Sequence, residues 1–153
     1  MNTIEEIREI SMDGFQVVSG DMFRNITRLT LPSITLWYSS ISFSKASLVA
    51  LNNCERIRME VNPKTRCILL VPVTAKDKDA IRWIKTGKEI HPRKIDCLAF
   101  TSQLFDGWGW DQKRVYRTTG RIVSCDKKIM LLFDFSDPEN WIMKEKATAK
   151  ANE

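Results

Sequence analysis

Apolar and polar positions alternate most regularly in RIRMEV, where Ile57, Met59 and Val61 share one face and Arg56, Arg58 and Glu60 the other. A period of two predicts a half-buried strand. After the turn Asn62-Pro63-Lys64, the continuous apolar run CILLV predicts a more deeply buried partner strand. Upstream, ITLWY alternates as a strand that ISF is expected to continue beyond Ser39-Ser40. Ser44 is a suitable N-cap for the short helix KASLVAL, because its hydroxyl takes up a free backbone N–H while Leu48 and Leu51 fall on one face.

The second half follows the same order. Ile95 and a capping Asp96 lead into CLAFTSQLFDGW, where Phe100, Leu104 and Trp108 recur every four residues with Thr101 and Phe105 beside them. Gly107 or Gly109 supplies the left-handed residue that ends this helix. RVYRTTGRIV then predicts a strand, residues 124–128 a turn, and IMLLFDF an apolar strand. At the amino end Ile4, Ile7 and Ile10 predict a short amphipathic helix, with DGFQVVSGDMF as a strand edge after it. Asp137-Pro138-Glu139 has the pattern of an N-cap, a first-position proline and a first-turn acid, so a C-terminal helix over about 138–146 is expected.

These patterns predict an α+β fold. Two strand-helix-β-hairpin repeats, about 33–73 and 95–135, would pack as a pseudo-two-fold single domain spanning 1–153, joined by a basic connection over 74–94. Each half is too small to close a core alone.

Composition narrows the function classes. The 153 residues are 43% apolar, enough for one sizeable core, and the longest apolar run, Cys67 to Val73, is far too short for a membrane span. The start MNTIEEIREI is acidic where a secretory signal needs cations, so a cytoplasmic protein without a membrane partner is expected. Four cysteines without a C-x-x-C pair, and a single histidine, predict free thiols and no metal or other cofactor. The formal charge is +5 and favours polyanionic partners.

The cations are unevenly placed. Residues 1–32 carry three arginines against five acids, whereas 74–94 carries seven cations against three acids. Residues 113–128 hold six cations, Lys113, Arg114, Arg117, Arg121, Lys127 and Lys128, with Asp126 as the only acid. Strand geometry turns Arg117 and Arg121 to the same face, roughly 13 Å apart, a separation that reaches two phosphates. Arg56 and Arg58 occupy the equivalent strand of the first half, so the two basic strands are expected to form one ribbon or two arms for a duplex. Within the connection, Arg82, Lys85, Arg93 and Lys94 add phosphate contacts. Trp83 is the aromatic expected to be exposed there, placed to stack on an unpaired base; the alternative is a plug that pins the connection to the core. Trp37, Trp108 and Trp110 are read as core or core-edge residues. His91 has no nucleophile or acid placed by motif, and no glycine-rich phosphate loop or H-E-x-x-H occurs, so a non-enzymatic chain is expected.

GFQVVSGDMF, ISFSKASLVAL, VNPKTRCILLVP, KDKDAIRW, LFDGWGWDQKRVYRTTGRIV and LLFDFSDPENWI together resemble a group of small bacterial proteins carried near site-specific recombinases and sometimes labelled integrase. The resemblance covers about residues 14–142, and its motifs are structural. A recombinase constellation is not met, since His91-Pro92-Arg93 lacks H-x-x-R spacing and nothing marks Tyr116 as a nucleophile. Nor is a retroviral-type integrase matched, because no carboxylate triad stands out and one histidine excludes the zinc module. What the resemblance implies is an accessory role on DNA, linked to a mobile element. A second likeness, by element order alone, is to the swapped-hairpin DNA-binding domains of transition-state regulators. The expected partners are DNA and, beside it, a recombinase or a second copy. The alternative function is a protein-protein interaction module or dimer that acts through exposed sheet edges.

Overall fold

The structure, a computed structural model, describes residues 7–20 and 31–144. In chain order it contains β1 (Ser33–Leu36), β2 (Ser40–Phe43), α1 (Lys45–Ala50), β3 (Arg56–Asn62) and β4 (Cys67–Val73). Four two-residue strands come next: β5 (Ile81–Arg82), β6 (Ile84–Lys85), β7 (His91–Pro92) and β8 (Ile95–Asp96). They are followed by α2 (Leu98–Trp108), β9 (Arg114–Cys125), β10 (Lys128–Asp134) and β11 (Glu139–Ile142).

Nine strands form a curled antiparallel half-barrel in the order β5-β3-β4-β10-β9-β1-β2-β8, with β11 also on β9, and β6 and β7 make a separate ribbon. The α+β expectation of two packed repeats is therefore corrected to a mainly β fold, with 41% of the described residues in strand and 14% in helix. Its cause lies in the two continuous apolar runs. β4 and β10 are central strands that pair with each other, Leu70 opposite Leu131 and Leu69 opposite Leu132, so the hairpins β3–β4 and β9–β10 merge into one sheet. An apolar run of this kind needs a neighbour along each edge, and each strand supplies one for the other.

Tertiary pairing also overrides three local expectations. Residues 40–43 do not continue β1; they fold back beside it, closed by hydrogen bonds between Trp37 and Ser40, and pair Ile34 with Phe43. The expected C-terminal helix is β11, with Glu139 opposite Arg117 and Ile142 opposite Arg114. Below Gly120 the β9 edge beyond β10 has unpaired backbone groups, and filling it outweighs the helix-start signal at Asp137-Pro138. Asp96 lies in β8, while Cys97 is the N-cap of α2 and makes no side-chain capping bond. The expected first helix falls partly outside the described residues, and Ile7 and Ile10 lie in irregular, exposed chain. The expected strand edge over 13–23 is irregular through Gly20, and its last residues are not among those described.

Other local signals hold. Ser44 caps α1 by accepting the Ser47 N–H, and its hydroxyl also takes the Ser33 N–H at 2.8 Å, tying helix to strand. Gly109 ends α2 in the left-handed region at φ 69°. Beyond it Trp110 stacks on Tyr116 with centroids 4.0 Å apart, while Phe105 meets both rings edge-on. Those contacts, with buried Leu104 and Trp108, close α2 onto the core that contains Ile34, Leu36, Leu70, Leu131, Phe133 and Phe135. Gly120 admits the Phe133 ring, since a Cβ there would stand 2.6 Å from it.

Candidate nucleic-acid interface

Arg56 and Arg58 of β3 and Arg117 and Arg121 of β9 lie on the outer face of the sheet, away from the core, but do not form one ribbon, while Arg114 alternates onto the face of Tyr116 and Gly120. Across the strands the register reads Glu60, Leu69, Leu132, Arg121. Two leucines thus separate the strands, whose backbones are three spacings or roughly 14 Å apart.

Most of these arginines also have carboxylate partners. Arg117 donates Nε–H to Glu139 Oε1 at 2.6 Å and lies 5.0 Å from the Trp141 ring centroid, so the unforeseen strand β11 engages it twice. Arg58 meets Asp77 at 2.6 Å and Glu60 at 2.8 Å, and Arg56 meets Glu55 at 3.4 Å. Glu55 also accepts from Arg82 at 3.0 Å. That bond, with Arg56 nearby, holds the Glu55 carboxyl below its ordinary range. The backbone N–H of Asp79 and then Arg58 do the same for Asp77. Arg121 is exposed and has no carboxylate within ion-pair distance among the described residues, although its charge, after the Ser136 hydrogen bonds, helps depress Asp134. The expected shared arginine surface is therefore corrected: Arg117 and Arg121 do share a face, but only Arg121 offers an unengaged guanidinium there.

The connection 74–94 builds a different surface. Trp83, expected to be exposed, is fully buried; it donates Nε1–H to the Cys54 carbonyl at 2.8 Å and meets Phe43 edge-on at 5.1 Å. It is the plug, and base stacking is ruled out for it in this conformation. The reason is local: a large indole next to Ile84 finds the core before it finds water. Pinned there, the segment folds back as β6 and β7, with Lys85 opposite His91. Arg93 donates to the Arg82 carbonyl at 2.9 Å, and the Lys94 ammonium lies 4.0 Å from the Trp37 ring centroid. Lys85, Lys88, Arg93 and Lys94 are all exposed and have no ion-pair partner among the described residues. Glu89, the acid within this arm, is engaged by Lys45 at 3.5 Å. Lys88 was not singled out by the sequence reading; the charge count of the connection was the available signal.

The remaining candidates lie along β9. Lys113 and the half-buried Arg114 are at its start, whereas Lys127 and Lys128 are exposed at the β9–β10 tip. Asp126 and Lys127 both take positive φ, 51° and 68°, which is what a two-residue primed hairpin turn demands. The unpaired candidate cations thus fall in an arm, at a hairpin tip and at one arginine rather than along a continuous strip.

Burial raises the thiols of Cys54 and Cys97 above their ordinary value, which leaves them poor nucleophiles at neutral pH. Among the described residues no group of three His, Cys, Asp or Glu lies close enough to hold a metal ion, and no helix is long and apolar enough to cross a membrane. No family model, curated protein or solved structure matches the chain.

Proposed function

We propose that this chain is a non-enzymatic nucleic-acid-binding accessory protein with DNA as its ligand, acting in the cytoplasm beside a recombinase of a mobile element. The observation that carries the DNA reading is the arm. Four exposed cations, Lys85, Lys88, Arg93 and Lys94, project from a segment anchored by a buried tryptophan. Anchoring lowers the ordering cost of phosphate binding. Arg121, Lys127 and Lys128 extend the contact surface. The recombinase association rests on the residue resemblance alone; the cytoplasmic setting rests also on the four free thiols.

Fluorescence anisotropy against duplex and single-stranded DNA at several salt concentrations tests the reading. Lys85→Glu with Arg93→Glu should flatten the plot of log affinity against log salt by about 0.9 per lost phosphate contact, whereas Arg117→Glu should alter it little. Absence of binding to either DNA at low salt overturns it.

A second reading, a protein-interaction module, is favoured by the edge strand β11, where Trp141 and Ile142 are exposed, as is Met143 just beyond it. DNA binding unchanged in Ile142→Lys, with loss of binding to the purified recombinase, would support that role.

A further inference from the structure

The two hairpin tips meet the two helices differently, and one meeting is incomplete. At the β3–β4 tip, Trp108 at the end of α2 donates its indole N–H to the Pro63 carbonyl at 3.3 Å, and the Arg66 guanidinium lies 5.9 Å from its ring centroid. At the β9–β10 tip, the shorter α1 ends without an aromatic residue. A groove of about 500 Å³ remains there, with Leu51, Val71, Pro72 and Ile129 among its lining and Lys127 and Lys128 beside them. Leu51 and Val71 are buried, whereas Ile129 is 46% exposed, so the groove has an apolar floor, an open side and a positive rim.

The chain carries a segment of matching chemistry. Residues 1–20 include four acids and one arginine. Within the part described, Met12, Phe15 and Val17 are 69%, 68% and 97% exposed, so this segment is not seated in its own groove. Asp13 precedes Phe15 by two residues across Gly14, whose φ of 88° turns the chain there.

We propose that the groove at the β9–β10 tip receives Phe15 from a second copy of this chain, with Asp13 and Glu9 against Lys127 and Lys128. The ring takes the role at this tip that Trp108 takes at the other, and reciprocal exchange closes a two-fold dimer. An aromatic anchor ringed by opposite charges is the common form of a binding hot spot.

Sedimentation equilibrium of the full chain tests this over a wide concentration range. A monomer-dimer equilibrium is expected, weakened about tenfold or more by Phe15→Ser and by Lys127→Glu with Lys128→Glu. Asp13→Lys and Glu9→Lys added to the latter should restore association. A wild-type chain that stays monomeric, or a dimer indifferent to Phe15→Ser, overturns the proposal. So do methyl resonances of Leu51, Val71 and Ile129 that shift with Phe15→Ser in a monomer, because the segment would then dock within its own chain. Phe15 lies outside the cation arm, so the effect of Lys85→Glu with Arg93→Glu on DNA binding, measured in the Phe15→Ser chain, lets the DNA reading and the dimer fail separately.

Discussion

The two hairpins share one sheet yet are finished in different ways. The β3–β4 tip is closed from within the chain, because the eleven residues of α2 carry Trp108 as far as Pro63. The β9–β10 tip meets a six-residue helix and keeps an open, lysine-rimmed groove. Charge pairing follows position on the strand rather than the hairpin, since Arg117 of β9 is also held, by Glu139. Arg56 and Arg58 on the first hairpin are held by carboxylates, whereas Lys127 and Lys128 on the second have no such partner among the described residues. Five residues of helix thus separate a structural junction from a candidate binding surface.

The sharpest way to break this comparison is to remove the closing residue. Trp108→Ala should cost about 3–5 kcal/mol, since it empties a buried site and orphans a tip hydrogen bond, while Ile129→Ser at the open tip should stay within about 0.5 kcal/mol. Chemical denaturation of the two variants checks both; equal losses would mean that both tips are structural.

Within the sheet the hairpins distribute bulk in opposite ways. On β3 the core-facing Ile57 stands opposite Pro72, and on β9 Gly120 stands opposite Phe133. Gly120→Ala forces a Cβ against a fully buried ring and should destabilise by about 1–3 kcal/mol, measured by the same denaturation.

The smallest expected effect concerns acid. Glu55 and Asp77 have carboxyls lowered by arginine and backbone donors, so they favour the folded state above the unfolded values, about 4.3 for Glu and 3.9 for Asp. That contribution disappears as pH falls through the folded values, because the unfolded chain takes up protons first. In a series of thermal melts, Asp77→Asn should make the acid-side fall in Tm shallower and leave the neutral region flat.

Local signals were legible where the chain's immediate neighbours decide the outcome. The two faces of β3, the Ser44 cap and the Gly109 stop each depend on residues a few positions apart. The candidate site was legible only as charge. The Glu139 that engages Arg117 is 22 positions away, the Asp77 that engages Arg58 is 19, and the Cys54 carbonyl that receives Trp83 is 29.

By itself, then, the sequence determined the strands of the two hairpins, which of their faces are apolar, and that the region after residue 32 is rich in cations. Tertiary structure decided that the two apolar strands pair with each other, that residues 139–142 extend an edge rather than coil, and which cations stay unpaired. Periodicity records only which side of a segment avoids water. Backbone groups and charges are satisfied by whatever the folded chain brings beside them, and that choice is made across the sheet.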